Sequence, residues 1–170
     1  MSSIGRGTSS DAIYSYHYLF MKESTFIQGL TLGGKAKPFR WKVDEVGDLL
    51  IERKFDLKFN PEPTVHYTKF SVEELQAVVN YVEQNGWTDL ANSVSKLGDG
   101  TEKEGIGKFL YNNLNCDITK CQASSQLSAI LTQAGIWEHN GKLRSMQFRS
   151  EQKNWRKLLL NYYQNHLTEY

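Results

Sequence analysis

Cysteine, proline and long apolar runs are all scarce in this chain of 170 residues. With 3 prolines and 13 glycines, the chain is neither collagen-like nor of low complexity. No apolar run approaches the ~20 residues that span a bilayer, and no apolar segment follows a basic one at the N-terminus, as it would in a secretory signal. We therefore expect a soluble, cytoplasmic protein with no membrane partner.

The two cysteines, Cys116 and Cys121, are consistent with that compartment. They lie five positions apart, outside the CxxC spacing of redox and zinc sites. A metal site can be composed from them, His139 and a fourth ligand, but free cysteines more often behave as small buried apolar residues. We interpret them as ordinary thiols and expect neither a metal nor another cofactor.

Charges of both signs are present in nearly equal number, but they are distributed unevenly. The net charge of +1 divides into +4 over residues 1–43, −7 over residues 44–104 and +4 over residues 105–170. A basic C-terminal third beside an acidic middle is typical of nucleic-acid-binding proteins. A solvated surface of mixed charge gives the same pattern, so this observation leaves both interpretations open.

Alternation of apolar and polar residues predicts an antiparallel sheet in the N-terminal part of the chain. Between Asp11 and Leu32, aromatic residues occupy every second position: Tyr14, Tyr16, Tyr18 and Phe20. The clearest alternation runs from Phe39 to Phe59, where Arg53 alone interrupts an inward face made of Ile51, Phe55, Leu57 and Phe59. The segment Asn60–Pro63 ends this strand because proline cannot donate to a sheet ladder, and residues 65–70 form a further strand.

Helix signals follow the sheet. Ser71 and Glu74 form a capping box, which predicts a helix that ends at Asn85-Gly86. The spacing predicts a second helix over residues 87–97, closed by Gly98, and a third that starts from a T-x-x-E box at residues 101–104. The G-x-G that follows, at residues 105–107, lacks a third glycine and supports no dinucleotide site.

Residues from about 101 to 149 carry the most specific pattern of the chain. Ile106–Leu114 and Ala123–Ala134 have helical apolar spacing, and Asp117–Lys120 forms a short turn between them. Trp137–Phe148 has the pattern of a hairpin around Asn140-Gly141, whose type I′ turn needs a positive φ at both positions. Helix, turn, helix and hairpin in this order resemble a winged helix-turn-helix module, although the segment at residues 117–122 is short for its second helix.

The resemblance implies that Ala123–Ala134 is a recognition helix and the hairpin a wing. The outward side chains of that helix are then short and polar, suited to phosphates or base edges: Gln122, Ser124, Ser125, Ser128 and Thr132. Asn140 marks the wing tip. The positive charge that phosphate contacts require follows it, at Lys142, Arg144, Arg149 and Lys153.

We therefore predict an α+β protein, in which an N-terminal antiparallel sheet is followed by a helical, winged helix-turn-helix part and a C-terminal helix. Its predicted parts are a mobile tail (residues 1–10), a β part (11–69), a helical part (70–150) and a last helix (151–170). That helix has a wide apolar face, made of Trp155, Leu158, Leu159, Tyr162 and Tyr163. We expect this face to join two copies into a homodimer, with docking on its own domain as the alternative.

The predicted function is nucleic-acid binding, duplex DNA first, or regulation through the winged helix. An adaptor whose winged module binds a partner protein is the alternative, since fold does not fix function. A metal-dependent nuclease is a second alternative, because Glu52-Arg53-Lys54 forms an E-x-K motif downstream of Asp44 and Asp48. Strand alternation puts Glu52 on the solvated face, so we expect this motif to be structural and Glu52→Gln to change stability by at most ~0.5 kcal/mol.

Overall fold

The structure, a computed structural model, describes residues 25–55, 61–151 and 153–167. The predicted tail, the aromatic alternation from Tyr14 to Phe20, and Leu57, Phe59 and Asn60 lie outside these ranges. The described helices include none with the length and apolar character needed to cross a membrane.

The predicted N-terminal antiparallel sheet and the α+β class are confirmed. Its strands are β1 (Ile27–Leu30), β2 (Pro38–Val43), β3 (Leu49–Phe55) and β4 (Thr64–Phe70), side by side in that order. Trp41 pairs with Ile51, and Ile51 pairs with Thr68, so one row of buried side chains crosses three strands. Successive side chains of a strand point to opposite faces, which is why alternation in the sequence located this buried face.

Helices and a second, smaller sheet follow. They are α1 (Val72–Asn85), β5 (Thr88–Asp89), α2 (Val94–Asp99), α3 (Ile106–Asn113), α4 (Ile118–Gln122), α5 (Ser124–Gln133), β6 (Trp137–His139), β7 (Gln147–Ser150) and α6 (Trp155–Leu167). The small sheet is antiparallel, with β7 in the middle between β5 and β6. The region predicted as helix, turn, helix and hairpin thus contains these elements in that order.

The predicted capping box at the start of α1 is confirmed. The Ser71 hydroxyl accepts from the Glu74 amide at 3.1 Å, and the Ser71 amide donates to the Glu74 carboxylate at 2.9 Å. The helix ends as predicted at Gly86, whose φ of 65° lies in the region that glycine tolerates. Local signals suffice here because both partners of each bond are close in sequence.

The predicted helix over residues 87–97 is wrong. Thr88 and Asp89 instead pair with Phe148 and Gln147 of β7, about sixty residues along the chain, and α2 begins only at Val94. The T-x-x-E box is also wrong, because the Thr101 hydroxyl donates to Asp99, Glu104 accepts from Lys108, and α3 starts after Gly105 without a side-chain cap. At residues 88 and 89 a long-range partner in β7 thus replaces the local helical one.

The structure explains the G-x-G pair at the start of α3. A Cβ on Gly105 would lie 2.4 Å from the Asp89 carbonyl oxygen, and one on Gly107 would lie 2.3 Å from that of Ala91. The Gly107 amide also donates to the Leu90 carbonyl at 2.8 Å. These glycines let two backbone segments touch, and this close approach accounts for the motif without a nucleotide.

Helix α6 docks on its own chain. Trp155, Leu159 and Tyr163 are buried in the core that both sheets and the other helices share. The Trp155 indole donates to the Gln76 side chain at 2.9 Å, and the Tyr162 ring stacks on Trp41 at 6.1 Å. The apolar face from which a homodimer was predicted is therefore largely used within the protomer, and the dimer itself stays a prediction.

Candidate functional site

Helix α5, the predicted recognition helix, is covered rather than exposed. Ser124 and Ser128 have no accessible surface, so the prediction that they face outward is wrong. Neighbouring elements cover the helix: β1 and β6 pack along it, and the Gln133 side chain donates to the Leu30 carbonyl at 3.4 Å. Thr132 is half-buried, and its hydroxyl has no hydrogen-bond partner. As placed, α5 cannot enter a nucleic-acid groove.

Gln122 and Ser125, the other predicted contacts of this helix region, are half-buried and line a cleft of about 630 Å³. We call it the basic cleft. It lies between the β1–β2 loop, the end of β3 and the start of α5, and its lining consists of Thr31, Gly33, Gly34, Lys35, Lys37, Pro38, Arg53, Lys54, Phe55, Asn92, Gln122, Ser125, Gln126 and Met146. The Asn92 amide donates to the Ser125 hydroxyl at 2.9 Å and so joins two segments of the wall.

The cleft carries cations without matching anions. Four of its side chains are Lys or Arg, and none of the described residues that line it is acidic. Lys35, Lys37 and Lys54 are exposed, and none forms an ion pair within the described part of the chain. Lys37 is held by its backbone, which donates to the Thr31 hydroxyl at 2.8 Å. Such a wall attracts a negatively charged ligand.

Arg53 is the buried cation of the cleft, with 5% of its surface exposed. Its Nη2 donates to the Thr68 hydroxyl at 3.2 Å and to the Thr119 carbonyl at 2.9 Å, while its Nε has no partner. Burial lowers the pKa of Arg53 below its ordinary value, and the charge of Asp117 acts in the opposite direction. Among the residues that the structure describes, Arg53 is thus a desolvated cation whose direct partners are neutral: these two acceptors and the Phe55 ring, whose centre lies 5.2 Å from the guanidinium.

Gln126 adds an unpartnered acceptor to the same wall. It is 9% exposed, and its Oε1 receives no hydrogen bond. Buried polar atoms are nearly always hydrogen-bonded in folded proteins, so an orphan donor on Arg53 and an orphan acceptor on Gln126 in one cleft call for an explanation. Both atoms have almost no accessible surface, so a ligand that offers an acceptor and a donor would satisfy them once the two side chains turn towards the cleft.

The predicted hairpin forms, but without its predicted turn. His139 pairs with Phe148, yet the connection spans residues 140–146, and of its first two residues only Gly141 has a positive φ, 77°. We call this segment the wing loop. The Asn140 side chain closes it by donating to the Ser145 carbonyl at 3.1 Å and accepting from the Lys142 amide at 3.2 Å. The predicted type I′ turn is therefore wrong, because Asn140 does not have a positive φ and its side chain braces a longer loop.

The wing loop borders the basic cleft. Met146, at its end, lines the cleft and lies against Gly33 of the β1–β2 loop. Lys142 and Arg144 are exposed, with no ion pair to any described residue. The two predicted phosphate contacts of the loop are therefore available beside the cations of the cleft.

Arg149 and Lys153 stand apart from this group. Arg149 forms an ion pair with Glu138, lies 4.0 Å from Glu151, and its guanidinium is 4.7 Å from the centre of the Trp87 ring. Lys153 is exposed just before α6 and does not line the cleft. Arg149 is held by the small sheet itself, which makes it a weaker candidate for phosphate contact.

The carboxylates of the nuclease alternative do not converge. Glu52 is 3% exposed, so the prediction that it is solvated is wrong: Arg40 covers it with two hydrogen bonds of 2.8 and 2.7 Å. Asp48 instead accepts from the Val72 amide at 2.9 Å and pairs with Lys69 at 3.1 Å. Among described residues, no group of three His, Cys, Asp or Glu side chains is placed to hold a metal ion.

Sequence reasoning missed Lys35, Lys37, Asn92 and Gln126 as site residues. The one signal that pointed to the cleft was Arg53, a cation at an inward position of a strand whose other inward residues are apolar. Comparisons of the chain with protein-family models, curated proteins and solved structures find no match. Its function is therefore inferred from these residues, and the winged-helix resemblance stays a prediction.

Proposed function

We propose that the protein binds nucleic acid through the phosphate backbone, at the basic cleft and the adjoining wing loop. The observation that carries this proposal is the cleft itself, with four cations and no acidic residue among its described lining. Lys142 and Arg144 extend the positive surface along the wing loop. Lysine and arginine contacts to phosphates supply most of the sequence-independent affinity of nucleic-acid-binding proteins.

The dimensions of the cleft favour a single strand over a duplex. A volume of about 630 Å³ is in the range of pockets that hold one small ligand, and a nucleotide is of that size. A duplex fits less well, because α5 is packed against the sheet and presents no face that could enter a groove. Asn92 and Gln122 offer amide groups, whereas the half-buried Phe55 ring already contacts the Arg53 guanidinium and the edge of His66.

The cleft is tested by fluorescence anisotropy with labelled single-stranded and duplex DNA over a series of salt concentrations. The variant Lys35→Ala/Lys37→Ala removes two cations of the cleft, and Lys96→Ala/Lys157→Ala removes two exposed lysines outside it. Each lost contact with a single strand lowers the salt slope by ~0.7, so the cleft variant should lose about one to one and a half units. The control should keep the wild-type slope; equal losses in both variants would contradict the proposal.

The wing loop is tested in the same assay. Lys142→Ala/Arg144→Ala should weaken binding to every sequence, because both cations are exposed and unpaired in the described structure. Arg149→Ala should weaken it less, since Arg149 already pairs with Glu138. If the wild-type chain binds no nucleic acid, the adaptor alternative takes precedence.

A further inference from the structure

Arg53 differs from the other cations of the basic cleft because it is desolvated. It is 5% exposed, whereas Lys35, Lys37 and Lys54 project into solvent. Removing a guanidinium from water costs free energy, and the Thr68 hydroxyl and Thr119 carbonyl return only part of it because neither is charged. Of the described carboxylates, Asp117 acts on Arg53 through its charge but forms no ion pair with it.

The depth of Arg53 selects the kind of anion that reaches it. An internal phosphodiester carries chain on both sides, so both flanking nucleotides would have to enter the cleft to bring it to a residue this buried. A phosphomonoester carries chain on one side only, presents three free oxygens, and bears a charge of about −1.5 to −2 near neutral pH. The planar guanidinium is well suited to bind such a group.

We infer that Arg53 anchors a phosphomonoester at the inner end of the basic cleft. The phosphomonoester is either the phosphorylated end of a strand or a free nucleotide. The strand-end form of this inference rests on the proposed nucleic-acid binding, whereas the free-nucleotide form does not.

Gln126 indicates what accompanies the phosphate. Its unpartnered Oε1 needs a hydrogen-bond donor, and a fully ionised phosphate has no proton to donate. A sugar hydroxyl or a base amine supplies one. We therefore expect a nucleoside monophosphate to bind more tightly than inorganic phosphate, and Gln126→Leu to reduce that difference.

The test compares one short single-stranded DNA in three forms, with a 5′-phosphate, a 3′-phosphate or hydroxyls at both ends, by fluorescence anisotropy. Adenosine monophosphate, adenosine and inorganic phosphate are measured by calorimetry. The variants are Arg53→Met, and Lys54→Met as a control on the neighbouring, exposed position of β3. Circular dichroism checks folding; if Arg53→Met does not fold, Arg53→Lys takes its place, since it keeps the charge but lacks the planar fork of donors.

One phosphorylated form should bind at least about tenfold more tightly than the hydroxyl form. Arg53→Met should abolish this preference, and Lys54→Met should weaken the binding of all three forms while the preference persists.

DNA binding without an end preference, together with equal binding of adenosine monophosphate and adenosine, would overturn the inference and leave the proposed function standing. Failure of all DNA forms, with Arg53-dependent binding of adenosine monophosphate, would overturn the proposed function and support the free-nucleotide form. A preference that survives in Arg53→Met would remove Arg53 as the anchor.

Discussion

Glu52 and Arg53 are neighbours on β3, carry opposite charges and are both more than nine-tenths buried, but the protein treats the two charges differently. Glu52 points to the outer face of the sheet, where Arg40 binds it through two hydrogen bonds of 2.8 and 2.7 Å. Arg53 points inward to the basic cleft and, within the described part of the chain, donates only to neutral acceptors. One buried charge is therefore neutralised within the chain, and the other is left available to a ligand.

The two environments affect the charged forms of the two groups in opposite ways. The hydrogen bonds from Arg40 hold the pKa of Glu52 below its ordinary value despite burial. Burial lowers the pKa of Arg53, which means that the site disfavours the very charge it carries. A site that is costly in the free protein and complementary to an anion is typical of a binding site rather than of a structural ion pair.

Breaking the ion pair between Arg40 and Glu52 should have the largest effect on stability. Arg40→Met leaves the buried Glu52 carboxylate without its charged partner, with only the Tyr67 hydroxyl, among the described residues, still bonded to it. We expect a loss of about 2 kcal/mol in the free energy of unfolding, below that of fully enclosed pairs because the Arg40 side chain is 40% exposed. Urea denaturation near neutral pH measures it. Lys54→Met, an exposed change on the same sheet face, should stay within ~0.5 kcal/mol. Equal losses in the two variants would contradict the comparison.

Glu52→Gln should cost about 1–2 kcal/mol, more than an exposed strand position allows, because an amide has a single acceptor oxygen and can keep only one of the two hydrogen bonds from Arg40. The difference in stability between the wild-type chain and Glu52→Gln also depends on pH. Since the folded pKa of Glu52 lies below the ordinary 4.5, its contribution is present above that value and is lost as the pH falls through the lower folded pKa. Denaturation from about pH 7 down to about pH 3 should show the two chains converging in acid. If the difference in stability between the two chains stayed constant over this pH range, the charge of the Glu52 carboxylate would not be its cause.

Arg53→Met should change stability by less than ~1 kcal/mol in the absence of ligand. It removes an uncompensated charge, which stabilises, but leaves the Thr68 hydroxyl and the Thr119 carbonyl without a donor, which destabilises. Paired denaturation curves of Arg53→Met and Arg40→Met measure the contrast directly. A loss for Arg53→Met as large as that for Arg40→Met would show that Arg53 is a structural residue.

Cys121 extends the comparison to a third buried ionisable group, which, unlike Glu52 and Arg53, is uncharged. Burial raises the pKa of its thiol to about 12, so very little is thiolate at about pH 8, and reaction with a thiol reagent should be at least about tenfold slower than for a free cysteine. The variant Cys116→Ala isolates this thiol, and absorbance during labelling follows the rate. Rapid labelling of the folded chain would contradict its burial; rapid labelling in denaturant is expected.

Local signals predicted those parts of the fold whose partners are near in sequence. The Ser71 capping box, the strands around Trp41 and Ile51, and the inward position of Arg53 all follow from short-range pattern. The burial of Ser124 and Ser128 does not, because it depends on other elements, β1 and β6 among them, packing against α5. Propensity cannot place that contact, since tertiary packing overrides it.

The candidate site was largely beyond sequence reasoning for the same reason. Lys35 and Lys37 lie in the β1–β2 loop, whereas Gln122 and Gln126 belong to the helical part, and only the fold brings the two groups to one cleft. Glu52 was assigned to solvent because alternation fixes the face of a residue but not what covers that face. Arg40, twelve positions away, provides that cover.

The availability of the Arg53 charge is tested most directly by the arginine Nε–H signals in a ¹⁵N-resolved NMR titration with adenosine monophosphate at constant ionic strength. Arg40 Nε already donates to Glu52 at 2.8 Å, and Arg53 Nε has no partner, so the two signals serve as control and probe within one molecule. Arg53→Met and Arg40→Met assign them by loss of a peak. We predict that the Arg53 signal shifts and saturates while the Arg40 signal stays in place, and that adenosine moves neither. An Arg53 signal that does not move, or that moves in step with the Arg40 signal, would contradict the account.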